Sequence, residues 1–156
     1  MANPAHPGRM LFVNIPVADL ERSKAFFAEL GFSYHPGFTD ETAACMLVGE
    51  HAYVMLLSRE KFAEFSKLPI ADPTTHALAL YCFSASSRDE VDAVSAAALA
   101  AGGSEADDAE DYGFMYSRSF FDPDGHGWQV MWMDPVAAEQ GPEAFAASTQ
   151  EADAAA

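Results

Sequence analysis

One order of segments occurs twice along this chain, and it constrains the fold more than any other feature of the sequence. The first copy begins with the alternating run LFVNIPV at residues 11–17, which predicts a strand with one covered face. Asp19 predicts the start of a helix that ends near Leu30, because its carboxylate can accept hydrogen bonds from the first-turn amides. Gly31 predicts the stop of that helix. Three more strands are then predicted at about 32–38, 43–48 and 52–58, and a short helix at 59–68.

The same order recurs after a polar segment that contains prolines. A strand is predicted at 76–83, and the capping-box pattern from Ser87 to Glu90 predicts the helix that follows. Further strands are predicted at about 104–106, 114–121 and 128–133, and the sequence DPDG at 122–125 predicts the turn between the last two. Each copy therefore has the order βαβββ. We expect each sheet to carry a helix on one face and to leave the other face open, so that two copies form a curved mixed sheet around a cleft.

These predictions give an α+β protein with five segments. They are an N-terminal arm at 1–9, a first βαβββ module at 10–68, a linker at 69–75, a second βαβββ module at 76–135, and an acidic, flexible tail at 136–156 with some helix.

The charge of the chain excludes several classes of partner. Twenty-four acidic residues against 8 basic ones give a net charge of -16, which repels nucleic acids and anionic membrane surfaces. No apolar run approaches the ~20 residues that span a bilayer, and the N-terminus lacks the apolar core of a signal peptide. The sequence therefore predicts a cytoplasmic protein whose partner is a small molecule.

Cys45 and Cys82 lie in apolar surroundings and are expected to be reduced and buried.

Three segments of this sequence resemble the vicinal oxygen chelate superfamily, which includes glyoxalase I, extradiol dioxygenases, fosfomycin-resistance enzymes and bleomycin-binding proteins. They are VADLERSKAFF at 17–27, HALAL at 76–80 and FDPDGHGWQ at 121–129, and the resemblance covers roughly residues 10–135. Shorter stretches, such as FTDETAACM and YGFMYSRSF, are similar to a bacterial branch related to lactoylglutathione lyases. The resemblance implies the glyoxalase/bleomycin resistance/dihydroxybiphenyl dioxygenase fold.

The resemblance also implies four metal-ligand positions on the open face, one on the first and one on the last strand of each module. They fall on Phe12, on Met55 or its neighbour Leu56, on His76 and on Gln129. Only His76 and Gln129 can donate to a metal, and Asn14, beside Phe12, is a poor substitute. A divalent Zn, Ni, Fe or Mn ion would act as a Lewis acid on two adjacent oxygens of a substrate. A tight metal ordinarily needs about three protein ligands, so the residues favour no tightly bound metal. His76 also has a simpler interpretation as a strand-end histidine bonded to backbone or solvent.

Other polar and soft side chains complete the predicted cleft. Met131 shares the parity of Gln129 and gives that face an apolar lining. Tyr116 and Arg118 are candidates to orient a carbonyl or carboxylate, although Arg118 in so acidic a chain also fits a surface ion pair. Glu41 is a candidate base if its loop folds over the cleft. Trp128 and Trp132 are expected under the helices, and His126 is expected in an exposed turn.

Two functions remain open from the sequence. The first is an enzyme that resembles glyoxalase-type lyases, isomerases or dioxygenases, in which His76 and Gln129 help to bind a metal and Glu41 or Tyr116 moves protons. The second is a metal-free protein that binds or sequesters a small molecule in a cleft lined by Phe12, Met55, Met131 and Met133, as the bleomycin-binding members do. Exposed sheet edges favour a homodimer under either function.

Overall fold

The computed structural model describes residues 8–155 and confirms two tandem βαβββ modules in an α+β fold. Residues 1–7 of the predicted arm lie outside the described residues. The first module comprises β1 (Leu11–Val17), α1 (Leu20–Glu29), β2 (Ser33–Tyr34), a 3₁₀ turn (Pro36–Phe38), β3 (Ala43–Gly49), β4 (Ala52–Ser58) and α2 (Arg59–Phe65). The second comprises β5 (Leu80–Ser84), α3 (Arg88–Ala100), β6 (Ser104–Asp111), β7 (Met115–Phe121) and β8 (Gly127–Met133), followed by α4 (Pro135–Gln140) and α5 (Pro142–Ala155).

The two modules have the same sheet topology. The first sheet has the order β1-β4-β3-β2 and the second has the order β5-β8-β7-β6. In each sheet the first and last strands of the module, β1 with β4 and β5 with β8, run parallel, and the other neighbours run antiparallel. Within the described residues β1 and β5 are therefore edge strands, and the two sheets are separate rather than continuous.

The predicted helix caps are present. Asp19 accepts a hydrogen bond from the amide of Arg22 at 3.0 Å, and Ser87 accepts one from the amide of Glu90 at 3.1 Å. Each bond satisfies an amide that has no partner within its helix, which stabilises the helix by about 1 kcal/mol. Gly31 follows α1 with a φ of 96°, a conformation that side chains disfavour.

The helix-covered faces of both sheets share one core. Helix α1 packs on β3 and β4 of its own sheet and also contacts the second sheet, where the ring of Phe27 lies 4.9 Å from that of Trp128 and Phe26 lies 6.2 Å from Phe120. All four rings are almost completely buried, and burying one such side chain stabilises a fold by about 1.5–3 kcal/mol. Since the covered faces meet at this core, the uncovered faces point away from each other.

The turn before β8 joins the two modules through polar contacts. Asp124 accepts hydrogen bonds from the amide of Ala18 at 2.8 Å and from the hydroxyl of Ser23 at 3.3 Å. The ring of His126 contacts the carbonyl oxygen of Pro16 at 2.8 Å through Nε2. The predicted exposure of His126 is wrong, because it is only 2% exposed and its ring is enclosed by this contact.

Asp122 holds this turn together from inside. Its carboxylate accepts hydrogen bonds from the amides of Asp124 and His126, both at 3.0 Å, and from the indole N–H of Trp128 at 3.0 Å. The DPDG turn therefore closes the hairpin and also positions the polar groups that connect the modules.

Two predicted segments differ from the structure. Strand β5 begins at Leu80 and not at His76, because its partner strand β8 begins only at Gly127, opposite Leu80. The predicted tail forms two helices, α4 and α5. Asp134 caps α4, and Pro135 and Pro142 occupy the first helical positions, where a proline loses no hydrogen bond.

The two cysteines are reduced, as expected, but they differ in exposure. Cys45 is buried on β3, in the interior of the first sheet. Cys82 is exposed, because it lies on the edge strand β5. The predicted burial is therefore right for Cys45 and wrong for Cys82.

Candidate functional site

The uncovered face of the first sheet carries a row of four side chains, three on neighbouring strands and one directly after β2. Asn14 of β1 pairs with Met55 of β4, and Met55 pairs with Cys45 of β3. His35 continues the row beyond β2, because its amide donates to the carbonyl of Cys45 at 2.9 Å. Side chains directly opposite on neighbouring strands lie about 5 Å apart at Cβ, so this row crosses the whole sheet. We call these four residues the first row.

A cavity of about 480 Å³ opens over most of the first row. It is lined by Met10, Phe12, His35, Phe38, Cys45, Tyr53 and Met55. Phe12 and Tyr53 stack with their ring centroids 4.8 Å apart and their planes within 13° of parallel. Burial raises the pKa of the Cys45 thiol, which keeps it neutral. The cavity is therefore largely apolar, and among the described residues His35 is the only one in its lining with a nitrogen-bearing side chain.

Asn14 lies in a different cavity, under helix α2. That cavity has a volume of about 560 Å³ and is lined by Asn14, Leu57, Phe62, Phe65 and Ser66. The predicted cleft residues Phe12 and Met55 therefore line one cavity, and Asn14 lines the other.

The uncovered face of the second sheet carries an equivalent row. Gln129 of β8 pairs with Cys82 of β5 and with Ser119 of β7, and Ser119 pairs with Asp107 of β6. We call these four residues the second row. Met131 lies on the same face, two residues further along β8. Gln129 and Met131 do not line the cavity over the first row, so the structure does not bring them together with Phe12 and Met55 inside the chain.

The two predicted metal ligands are not brought together either. His76 lies exposed in the segment before β5, where its Nδ1 contacts the Thr75 hydroxyl at 2.8 Å and its amide donates to the carbonyl of Asp72. Gln129 lies within the second sheet, opposite Cys82, which is six residues beyond His76. In residues 8–155 there is no group of three or more histidine, cysteine, aspartate or glutamate side chains that could hold a metal ion. The residues of a single chain therefore do not fit the metal centre that the resemblance implies.

Tyr116 and Arg118 lie on the wrong face for the predicted cleft. Their register on β7 places them with Phe120 on the side that α3 covers. The Tyr116 hydroxyl donates to Asp92 at 2.8 Å, and Arg118 forms ion pairs with Asp92 at 3.4 Å and with Glu105 at 3.3 Å. The hydrogen bond to Asp92 raises the pKa of Tyr116, which disfavours the phenolate. The ion-pair interpretation of Arg118 is therefore the one that the structure supports.

Glu41 lies exposed in the loop before β3. Its neighbour Asp40 fixes that loop by accepting hydrogen bonds from Thr42 and from the amide of Ala43, and these bonds lower the pKa of Asp40. Glu41 itself has no hydrogen bond or ion pair within residues 8–155, and its role as a base stays a prediction.

Sequence reasoning missed His35. The run at 32–38 predicts one long strand, whereas β2 is only Ser33–Tyr34 and the 3₁₀ turn follows at Pro36. The sequence signal for this position was the pair Pro36-Gly37 directly after His35. Such a pair ends a strand, and the proline restricts the backbone conformation of the residue before it.

Comparisons with known proteins agree with this fold. Residues 9–49 match the family model described as bleomycin resistance protein-like N-terminal. A glyoxalase-related enzyme from Fulvimarina pelagi superimposes with a TM-score of 0.70 at 18% identity, covering 82% of this chain and 89% of that one. A hypothetical protein from S. aureus gives 0.67 at 24% identity, covering 78% and 92%. A lactoylglutathione lyase from Agrobacterium tumefaciens gives 0.60 at 17% identity, covering 81% and 95%.

No curated protein matches the sequence. Within residues 8–155 no helix has both the length and the apolar composition that crossing a membrane requires. The solved structures share the fold of the glyoxalase/bleomycin resistance proteins, and the family match covers the first part of the first module.

Proposed function

We propose that this chain, which has the fold of the glyoxalase/bleomycin resistance proteins, binds a small and largely apolar molecule over the first row without a tightly bound metal. The observation that carries the proposal is the cavity of about 480 Å³. Phe12 and Met55 line it at two positions where a metal-dependent relative would need ligands. Aromatic and thioether side chains hold apolar ligands and bind hard or borderline cations poorly.

The size and lining of this cavity suit a ligand of one or two rings. Ligand pockets in proteins are mostly apolar and carry only a few polar groups that fix orientation. Each Å² of apolar ligand surface removed from water contributes roughly 25 cal/mol, so burial over Phe12, Tyr53 and Phe38 supplies the affinity.

A second candidate is a metal-assisted lyase, isomerase or dioxygenase. It is favoured by the fold, because one of the structural neighbours is a lactoylglutathione lyase. In this candidate His76 and Gln129 need further ligands from another copy of the chain, and Glu41 is the base. The cytoplasmic location predicted from the sequence stays a prediction under both candidates.

We also propose that the chain forms a homodimer through its edge strands. Leu11 on β1 is 62% exposed and Leu80 on β5 is 69% exposed, and within residues 8–155 both strands lie at unpaired sheet edges. Exposed apolar edge strands are templates for pairing with another chain. If β1 of one copy meets β5 of the other, two four-stranded sheets join into one.

The metal content of untagged protein tests the first proposal against the second. We expect less than about a tenth of an equivalent of Zn, Ni, Fe or Mn, no thermal shift when these ions are added, and no difference in the His76→Ala variant. About one equivalent of metal that is lost in His76→Ala would overturn metal-free binding and support the enzyme.

Light scattering coupled to gel filtration tests the dimer. We expect a dimer for the unaltered chain and a monomer for Leu11→Glu and Leu80→Glu. The matched control is Leu68→Glu, because Leu68 is also exposed but lies after α2 and not on an edge strand. A monomeric unaltered chain at about 100 µM, or edge variants that stay dimeric, would contradict the proposal.

A further inference from the structure

We infer that His35 is the polar anchor of the cavity over the first row, and that the ligand is a flat aromatic molecule with one oxygen that accepts a hydrogen bond. This inference rests on the proposed function, because it assigns the class of ligand to the same cavity. It also assigns a binding role to a residue outside the metal-ligand positions.

The ring of His35 is held in one orientation with one tautomer. Its Nδ1 accepts a hydrogen bond from the amide of Gly37 at 3.1 Å. A nitrogen that accepts keeps its lone pair, so the neutral ring carries its proton on Nε2. The Phe38 ring packs beside the imidazole with the ring centroids 5.0 Å apart. Nε2 makes no hydrogen bond within residues 8–155 and is therefore available as a donor to a ligand.

The other polar groups of the cavity are weaker donors or already have partners. The Tyr53 hydroxyl donates to the carbonyl oxygen of Glu50 at 3.2 Å. The Cys45 thiol is a weak donor, and burial keeps it neutral. Among the described residues no carboxylate lines the cavity, so this lining offers no counter-ion to a cationic ligand in spite of the net charge of -16. A ligand oxygen that accepts from His35 is therefore the specific polar contact that this lining can make.

The remaining surface of the cavity favours flat rings. Phe12 and Tyr53 form a nearly parallel stack, and Phe38 adds a third aromatic ring. Met10 and Met55 supply thioether groups, which adapt to an aromatic edge. Aromatic rings gain both buried area and favourable ring contacts in such surroundings.

Gly37 makes this position of the imidazole possible. A Cβ at residue 37 would lie 3.1 Å from Cε1 of the His35 ring. An alanine there would displace the ring by a few tenths of an ångström, which makes Gly37 a positioning residue for the anchor.

Two probes of similar shape test the inference, 2-acetylnaphthalene with a carbonyl acceptor and 2-isopropenylnaphthalene without one. Dissociation constants are measured by fluorescence titration for the unaltered chain and for His35→Phe, with His51→Phe as the control because His51 is an exposed histidine outside the cavity. We expect the unaltered chain and His51→Phe to bind the acetyl probe with a dissociation constant about fivefold lower than that of the other probe, because one neutral hydrogen bond contributes about this factor. His35→Phe should bind both probes equally, and Gly37→Ala should show an intermediate preference.

The outcomes separate this inference from the proposed function. Binding of both probes with no preference in the unaltered chain, or a preference that survives in His35→Phe, would overturn the role of His35 and leave the cavity as a ligand site. Binding of neither probe would overturn both. Far-ultraviolet circular dichroism and the melting temperature of each variant identify any loss of fold, and Gly37→Ala then supplies the test if His35→Phe does not fold.

Discussion

The two uncovered faces occupy equivalent places in a duplicated topology and carry different chemistry. The first row presents an imidazole, a thiol, a thioether and an amide, from His35, Cys45, Met55 and Asn14. The second row presents a carboxylate, a hydroxyl, an amide and a thiol, from Asp107, Ser119, Gln129 and Cys82. Met55 and Gln129 hold the same place on the last strand of their modules. The duplicated topology therefore fixes where a side chain points, and each module uses that place differently.

The contrast continues on the covered faces. Helix α1 is held by aromatic packing through Phe26 and Phe27. Helix α3 is held partly by charge, because Arg88 at its start pairs with Asp111 at 2.7 Å and lies over the rings of Tyr116 and Trp132. Aromatic packing therefore holds the helix of the first module, whereas an ion pair contributes to holding that of the second.

The largest effect is expected where the two modules are joined. Asp122→Ala removes the acceptor for two buried donors, the His126 amide and the Trp128 indole N–H, and for the Asp124 amide. We expect the free energy of unfolding to fall by about 3 kcal/mol, because each buried donor left without a partner costs about 1–3 kcal/mol. Urea denaturation followed by tryptophan fluorescence measures the change. The control is Asp108→Ala, which alters an exposed carboxylate on β6, and a loss as large there would contradict the assignment.

A reciprocal exchange between the rows tests their difference directly. Met55→Gln places an amide in the apolar cavity, where it loses hydration when a ligand binds. We expect it to weaken binding of 2-acetylnaphthalene by about tenfold, while the matched change Gln129→Met alters binding by less than about twofold. The dissociation constants of the two variants decide this prediction. Equal effects would show that both rows contribute to one site.

The smallest effect concerns the ion pair that holds α3. The hydrogen bond from Arg88 lowers the pKa of Asp111 to about 2, and an unfolded aspartate has a pKa of about 3.9. The ion pair therefore stabilises the fold fully above about pH 4, and this contribution is lost as the pH falls from about 4 to 2. We expect the Asp111→Asn variant to lose less stability over that interval than the unaltered chain. Urea titrations at each pH measure the difference, and parallel curves for the two proteins would contradict the prediction.

The sequence predicted the elements better than it predicted the site. Alternation and capping located β1, β4, α1 and α3 because each signal lies within its own element. The site depended on relations between elements. The parity of Tyr116 and Arg118 along β7 could be counted, but which parity faces α3 depends on the packing of the second sheet.

Two further residues show the same limit. His76 fell outside β5 because the start of that strand is set by Gly127, a residue 51 positions later. His126 is buried because its ring meets Pro16 of the other module, a contact that no local pattern contains.

The bonds from the DPDG turn to the first module also decide the order in which the chain can fold. The contact between His126 and Pro16 spans 110 residues, and the bond between Asp124 and Ala18 spans 106. As the chain is synthesised, the first module emerges complete while Phe26 and Phe27 still lack Phe120 and Trp128 to pack against. The two modules therefore repeat the order of helices and strands, but neither module is a folding unit by itself. We expect the two modules to fold and unfold in one cooperative transition, completed only when the last strand joins the sheet.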